Sequence, residues 1–384
     1  MPDISGGAAA VTPSGIREIA HLAMQRGEGI ARLEIGEPDF PTPSHIVEAA
    51  VQSARAGSGY TSSMGTEALR AAFAAKMHRL YGLDVPLSQV IVSHGGMQGC
   101  AAAVAALLDP GGEVLLPDPG YPNHAMLVTL FRGRATHYPL RPENGFVPDP
   151  EEISRLVSDA TQLILINSPS NPTGAVIPED VVEEIIDMAR RYDITVLSDE
   201  VYDEIVFGMV PKTALQHDTN PVVSVFSLSK TYAMTGWRVG FIAAPSWLAE
   251  RLAVLQEPLI TCLSSVTQAA GLAALEGPQD CVFKMRDTYE QRRDIALSLT
   301  EAMGLDVVPP QGSFYMMLPL ESGSDSREAA LQLLDHGVSV SPGSAFGKRS
   351  ASQLRISLAT NEQVLREGMR RIAGWIEARG RGKT

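Results

Sequence analysis

VVSVFSLSKTYAMTGWRVGF, residues 222 to 241, brings a strand, a lysine and an arginine close together. Val222 to Phe226 is β-branched and apolar, with turn-forming residues before it, which is the pattern of a buried strand. The strand runs into Ser227, Ser229 and Lys230, and Arg238 follows eight residues after the lysine. A lysine at the end of an apolar strand is costly to desolvate, and burial favours its neutral, nucleophilic amine. Such amines form Schiff bases with carbonyl compounds. Ser227 adds a hydroxyl, and Arg238 adds a fork of donors suited to a phosphate. A lysine in an exposed loop fits the same few residues, so Lys230 alone does not choose between the two readings.

Outward from this run, short apolar segments alternate with helical patterns. Strands are expected at Val90–Ser93, Glu113–Leu116, Gln162–Asn167, Ile194–Ser198, Val222–Ser227 and Val239–Ala243. Gln98–Leu108 is Ala-rich, and Glu179–Tyr192 opens after Pro178 with acidic residues in its first turn, as a helix should. Alternation of this kind predicts an α/β domain, a largely parallel sheet covered by helices on both faces. Ligands on such sheets bind at the carboxyl ends of the strands, and Asn167, Asp199 and Lys230 all fall on that rim. The tail differs. A long helix over Cys281–Met303 precedes strands at Phe314–Leu318, Val338–Ser341 and Leu354–Leu358, then a last helix from Asn361 to about Ala378. It reads as a smaller α+β domain, completed by the Ser14–Phe40 segment.

The chain has 384 residues, 45% hydrophobic and 20% charged, which suits two globular domains. A net charge of −13 argues against nucleic acid or an anionic membrane as a general partner. Cys100, Cys262 and Cys281 are too few and too scattered for a disulfide framework or a zinc site, and the eight histidines form no metal-ligand pair. The first residues lack the basic and apolar regions of a signal peptide, and the longest apolar run, Cys100–Leu108, is too short to span a bilayer. The expectation is a cytoplasmic protein that binds no metal. GGMQG lacks the spacing of a dinucleotide fingerprint, and GSAFGKRS (343–350) is one residue short of a P-loop.

Pyridoxal phosphate makes a defined set of demands on a protein: an amine for the aldehyde, a carboxylate for the pyridine nitrogen, donors for the phenolic oxygen, N–H groups and an arginine for the phosphate. The chain has a candidate for each. Asp199 ends a strand, where a carboxylate serves equally as a helix N-cap. Tyr202 and Asn171 are donors, although NSPSNPTG around Asn171 is also an ordinary polar turn, one that allows a cis bond before Pro172. Gly95 and Gly96 precede an Ala-rich helix, whose first N–H groups are free to bind phosphate. Tyr121 offers a ring to stack, or simply a half-buried turn aromatic. Arg355, in the alternating strand LRISLA, must find an anion or point outward. His94 and His124 lie nearby and read as hydrogen-bonded histidines.

Ten strings in this order resemble the class I/II aminotransferases of the fold type I pyridoxal-phosphate superfamily, the aspartate aminotransferase family. They are IGEPDF (35–40), YTSSMGTEALR (60–70), SHGGMQG (93–99), PDPGYPN (117–123), NSPSNPTG (167–174), SDEVYDEI (198–205), SLSKTYAMTGWRVGF (227–241), GSFYMMLP (312–319), VSVSPGSAFG (338–347) and LRISLA (354–359). The resemblance runs from about Gly15 to the last helix. It implies a large three-layer domain with a mostly parallel seven-stranded sheet, residues 46–285, and a smaller α+β domain, residues 14–45 with 286–384, after a loose arm at 1–13. It implies that Lys230 holds the cofactor as a Schiff base and shuttles the proton, and that Asp199 binds the pyridine nitrogen. Tyr202 and Asn171 contact the phenolic oxygen. Ser227, Arg238 and the backbone of Gly96 and Met97 hold the phosphate, and Tyr121 stacks on the ring. Gly36, Asn171 and Arg355 take the substrate carboxylate. Tyr60 reaches the neighbouring site of a homodimer. Met97 replaces a polar residue of many relatives, and no basic group for a side-chain carboxylate can be matched; Ile16 and its neighbours, and residues after Gly312, are candidates for lining the side-chain pocket. The implied reaction moves an amino group from an L-amino acid to a 2-oxo acid in ping-pong fashion. Elimination, cyclisation, decarboxylation or oxidation on the same fold is the competing reading, and an idle binding module is a third.

Overall fold

A computed structural model describes residues 4–217 and 220–381. Its largest sheet has seven strands: β1 (Val90–Ser93), β2 (Glu113–Asp118), β3 (Arg134–Pro139), β4 (Thr161–Asn167), β5 (Thr195–Asp199), β6 (Val222–Ser227) and β7 (Gly240–Ala243). They lie in the order β1-β7-β6-β5-β4-β2-β3. Neighbours run parallel except at β7, which is antiparallel to both β1 and β6. The seven-stranded, mostly parallel sheet expected from the resemblance is therefore present. Strand-by-strand reading found six of the seven. It missed β3, an edge strand of sequence RATHYP in which only Tyr138 is buried.

The central strands are apolar along their whole length because both faces are covered. On one face Ile164, Val196 and Phe226 pack with Ile185, Ile186 and Ala189 of the helix Glu179–Tyr192. That helix has Glu179 and Asp180 in its first turn and Arg190 and Arg191 in its last, matching its dipole, and ends at Asp193 in the left-handed region. On the other face Leu163, Leu197 and Val225 pack with Ala102, Ala103 and Val104 of the helix Gly96–Leu107.

A third cluster surrounds a smaller antiparallel sheet, in which Gln353–Ser357 lies between Ser341–Pro342 and Tyr315–Pro319. Ala31–Arg32 pairs in parallel with Val338–Ser339, so the N-terminal segment joins the C-terminal one. Leu33, Tyr289 of the helix Asp280–Ala302, Phe314 and Ile356 are buried together there. Within the 1–13 arm, Gly6–Ala10 forms a short helix, and a Cβ on buried Gly7 would stand 2.5 Å from the Leu130 carbonyl oxygen. Residues 1–3 of that arm lie outside the described residues.

Candidate active site

The carboxyl ends of β4, β5 and β6 meet the smaller sheet across a cleft of about 730 Å³. Register places Asn167 beside Asp199 and Asp199 beside Val225, so β4 and β5 end level with one another and β6 runs two residues further, to Ser227. Asn167, Asp199, Ser227, Lys230, Arg238 and Arg355 all line this cleft, as do Gly36, Gly96, Met97, Tyr121, Asn171 and Tyr202. Tyr60 is the one expected site residue that does not: it is 92% exposed, on the outer surface.

Lys230 lies in the one-turn helix Leu228–Thr231 that follows β6. Its Nζ donates to the Gly36 carbonyl at 2.8 Å and sits 5.8 Å from the centre of the Phe314 ring. Burial pulls its pKa down to about 8; Arg238 and Arg355 act in the same direction, and Glu37 opposes them. The amine thus becomes half neutral at about pH 8, well below the range in which an exposed lysine loses its proton. Gly36 must be glycine, because a Cβ there would lie 1.7 Å from the Tyr315 hydroxyl.

Asp199 is held from two sides. His124 Nε2 lies 2.9 Å from its Oδ2, and Asn167 Nδ2 donates to its backbone carbonyl at 2.9 Å. His124 is the hydrogen-bonded histidine expected from the sequence, and its partner is the Asp199 carboxylate, which it holds in place. The Cys100 thiol completes this buried group, its ligand atom within 4.8 Å of the other two, and burial and the Asp199 charge keep it protonated.

The Asn171 backbone N–H donates to Asn167 Oδ1 at 2.8 Å, and its side-chain oxygen accepts from Arg355 Nη1 at 3.0 Å. With that oxygen engaged, the amide NH2 is left as a donor. The Asn171–Pro172 bond is cis. Tyr202 shares a hydrogen bond with Tyr315, their hydroxyls 3.0 Å apart, and burial raises the pKa of both phenols. Tyr315 is among the residues after Gly312 that the sequence offers for the pocket wall, and it lines the cleft. Its pairing with Tyr202 has no signal in GSFYMMLP, because only packing across the cleft brings the two together.

Gly95 caps the helix Gly96–Leu107 at φ +77°. A Cβ on Gly95 would meet Arg238 Nη2 at 2.5 Å, and one on Gly96 would meet Val201 Cγ1 at 2.4 Å. Gly95 thus lets a guanidinium close on the helix start, and Gly96 lets Val201 pack against it. Ser227 Oγ accepts from the Ser229 N–H at 3.1 Å, and the buried Ser229 hydroxyl has no partner. Arg355 is fully buried, with Nη2 bonded to Ser341 Oγ at 3.0 Å and to the Glu34 carbonyl, and its guanidinium lies 4.2 Å from the Tyr315 ring centre. Its Nε is buried and unpartnered. Tyr121 stands edge-on to His124, with ring centres 5.4 Å apart.

This donor set fits pyridoxal phosphate. A glycine-lined helix start with Arg238, Ser227 and an unpartnered Ser229 hydroxyl suits a phosphate. Asp199 suits a protonated ring nitrogen, and the Asn171 amide and Tyr202 hydroxyl suit a phenolic oxygen.

A second buried group braces the turn at 201–204, which follows Asp199 and contains Tyr202. Lys76 Nζ lies 2.6 Å from Asp203 Oδ2 and 2.8 Å from Glu204 Oε1, and Tyr81 donates to Asp203 at 3.2 Å. Glu200, buried beside them, has its pKa raised to about 7 by desolvation. Nothing in the sequence pattern links Lys76 to this turn.

Comparison with known proteins agrees with the geometry. The profile of the family "Aminotransferase class I and II" matches residues 28–372. The chain is 36% identical over 371 residues to the aspartate aminotransferase of Pyrococcus horikoshii, covering 95% of each. It is 38% identical over 371 residues to aromatic-amino-acid aminotransferase 2 of Thermococcus litoralis, covering 94% of this chain and 95% of the relative. Among solved structures, Thermus thermophilus aspartate aminotransferase with maleate superimposes with a TM-score of 0.93 at 34% identity, covering 97% of this chain and 99% of that one.

Proposed function

This chain belongs to the class I and II aminotransferases and is a pyridoxal-phosphate-dependent transaminase acting on amino acids and 2-oxo acids, and from that premise we propose the parts its residues play. Lys230 is the amine that engages the cofactor and moves the proton at the substrate Cα. The observation that carries this reading is the placement of Lys230, with its lowered pKa, in one cleft with Asp199, Arg238 and Arg355.

When bound, pyridoxal phosphate supplies an aldehyde carbon that holds the substrate nitrogen and a ring that takes up the electron pair left at Cα. The rest falls to the chain. Asp199, oriented by His124, keeps a proton on the ring nitrogen. Asn171 and Tyr202 donate to the phenolic oxygen. Ser227, Arg238 and the N–H groups of Gly96 and Met97 hold the phosphate, and Tyr121 covers the ring. Arg355, with Gly36 and Asn171, fixes the substrate carboxylate so that Cα stands within reach of the Lys230 amine. That amine would take the proton from the substrate Cα and give it up again, one group serving as base and then acid.

Two of the relatives described above are named for aspartate and one for aromatic amino acids, at nearly equal similarity, so relatedness alone names no donor. All are aminotransferases, and none favours elimination, cyclisation, decarboxylation or oxidation. The test is a half-reaction: single amino acids are added to the loaded enzyme without an acceptor, and the cofactor absorbance is followed. A donor-dependent shift with release of the matching 2-oxo acid is expected. Its absence for every donor would defeat the assignment of roles.

We further propose a cytoplasmic homodimer with shared sites. The cysteines are free, and among the described residues no helix is long and apolar enough to cross a membrane. Tyr60 projects from a loop whose Thr61 hydroxyl donates to the Leu263 carbonyl at 3.1 Å, beside the end of the helix Ser246–Ile260 with its exposed Leu259. An exposed tyrosine in that apolar setting suits a partner subunit. The domain limits proposed are 46–285 for the cofactor-binding domain and 14–45 with 286–384 for the smaller one.

A further inference from the structure

Three guanidiniums line the cleft, those of Arg17, Arg238 and Arg355. The phosphate answers Arg238 and the substrate α-carboxylate answers Arg355 in the reading above. Nothing answers Arg17. Among the described residues its side chain has no hydrogen-bond or ion-pair partner. The positions three and four residues away on either side are Pro13, Ser14, Ala20 and His21, none of them acidic. The nearby carboxylates are engaged elsewhere: Glu18 accepts from Arg327 Nε at 3.1 Å, Glu34 is bonded to Arg32, and Glu37 accepts from the Thr235 hydroxyl at 2.6 Å.

The helix Gly15–Arg26 sets two rows of side chains into the cleft wall. Ile16, Ala20 and Met24, spaced by four, form an apolar row; Arg17 and His21, one residue on, form a basic one. Met24 is 61% exposed and Ile35 40% exposed, so apolar surface stands uncovered beside the cation. The Tyr121 phenol is within electrostatic reach of both Arg355 and Arg17, so the two guanidiniums address one volume.

We propose that Arg17 binds a second acidic group, carried on the substrate side chain beyond an apolar spacer, and so selects amino acids and 2-oxo acids that are dicarboxylic. This rests on the placement of the α-carboxylate at Arg355. An exposed guanidinium is screened by water in the free protein. A substrate seated against the apolar row displaces that water and gives the guanidinium a charge-assisted, bidentate partner. A cationic side chain would meet the basic row with like charge and is disfavoured.

The test compares holoenzyme carrying Arg17→Ala, Arg17→Lys and Arg17→Glu with the parent, using matched donors that differ in charge alone, glutamate against glutamine and aspartate against asparagine. Equilibrium binding of glutarate and of butyrate, which cannot react, is followed by the cofactor spectrum. The parent should prefer the acidic donor of each pair. Arg17→Ala should lower the acidic-to-neutral ratio of kcat/KM, and the glutarate-to-butyrate ratio of affinities, by about ten- to a hundredfold. Arg17→Lys should keep most of both ratios, and Arg17→Glu should lower them further. Ratios unchanged across the three variants, with turnover intact, would overturn the inference alone. A parent enzyme that no donor converts would instead overturn the roles on which it rests, and the inference with them.

Discussion

Arg355 Nη1 donates to the side-chain oxygen of Asn171 over 3.0 Å, joining residues 184 positions apart. That bond ties the smaller sheet to the rim of the larger one and leaves the Asn171 amide free to donate into the cleft. In the roles proposed above, one guanidinium would orient both a substrate contact and a cofactor contact. Lysine at this place carries the charge but not the planar fork. Arg355→Lys is expected to lower kcat/KM for every amino donor by about a hundredfold, roughly 3 kcal/mol. The cofactor dissociation constant, read by fluorescence titration, should move far less. Equal losses in both quantities would show that Arg355 acts only through Asn171.

The amine of Lys230 makes a prediction in the cofactor-free protein. Its folded pKa, about 8, lies below its ordinary value of 10.5. Between those two values the unfolded chain binds more protons than the folded one, so this group's contribution to stability rises with pH. Below pH 8 the confined charge costs up to about 3 kcal/mol, an upper bound for a half-buried side chain. Cofactor-free Lys230→Met should therefore melt above the parent at pH 7. The gap should close as pH rises through 8 toward 10.5. A gap constant over that range would mean that Lys230 is not strained by burial.

Much of this site could be read from the chain alone, because strand ends announce themselves. Asp199, Ser227 and Lys230 follow apolar runs whose length fixes where the rim lies, and Gly95 and Gly96 precede a helix whose start is evident. Other parts depend on folding in three dimensions. β3 is half exposed and ends in proline, so it lacks the apolar run that marks β4 and β6. His124 reaches Asp199 across 75 residues, and Tyr315 reaches Tyr202 across 113. No local pattern encodes such pairs. Arg17 looks like any exposed helical arginine until the cleft forms around it.

Lys76 offers the sharpest case of a residue without a local signature. It is buried with Asp203, Glu204 and Glu200, which makes one lysine against three carboxyl groups. Removing the cation leaves acidic groups buried without compensation, and Lys76→Met should cost about 3–5 kcal/mol in urea unfolding. Because the braced turn holds Tyr202 and follows directly on Asp199, cofactor affinity should fall as well. Glu200 behaves oppositely. Its folded pKa of about 7 is raised above 4.5, chiefly by desolvation. The folded state then binds more protons than the unfolded between pH 4.5 and 7, and stability drops across that window as pH rises. Glu200→Gln should therefore be more stable than the parent at pH 8, by up to about 3 kcal/mol, with the advantage vanishing below pH 4.5. A Gln variant that is less stable at pH 8 would show that Glu200 is held ionised.

Tyr60 tests whether two copies build one site. It is exposed on the isolated chain, away from the cleft that would hold the cofactor phosphate. If it serves a neighbour, a Lys230→Ala subunit still lends its tyrosine, and a Tyr60→Phe subunit still offers its lysine. Each mixed dimer then contains one complete site and one doubly defective site. Homodimers of Lys230→Ala should be inactive, and those of Tyr60→Phe should need far more cofactor for half-maximal activity. Refolding the two together in equal amounts at limiting cofactor should restore about a quarter of parental turnover, since half the dimers are mixed and half their sites complete. Activity no greater than the sum of the separate variants would place Tyr60 outside the shared site, whatever the assembly.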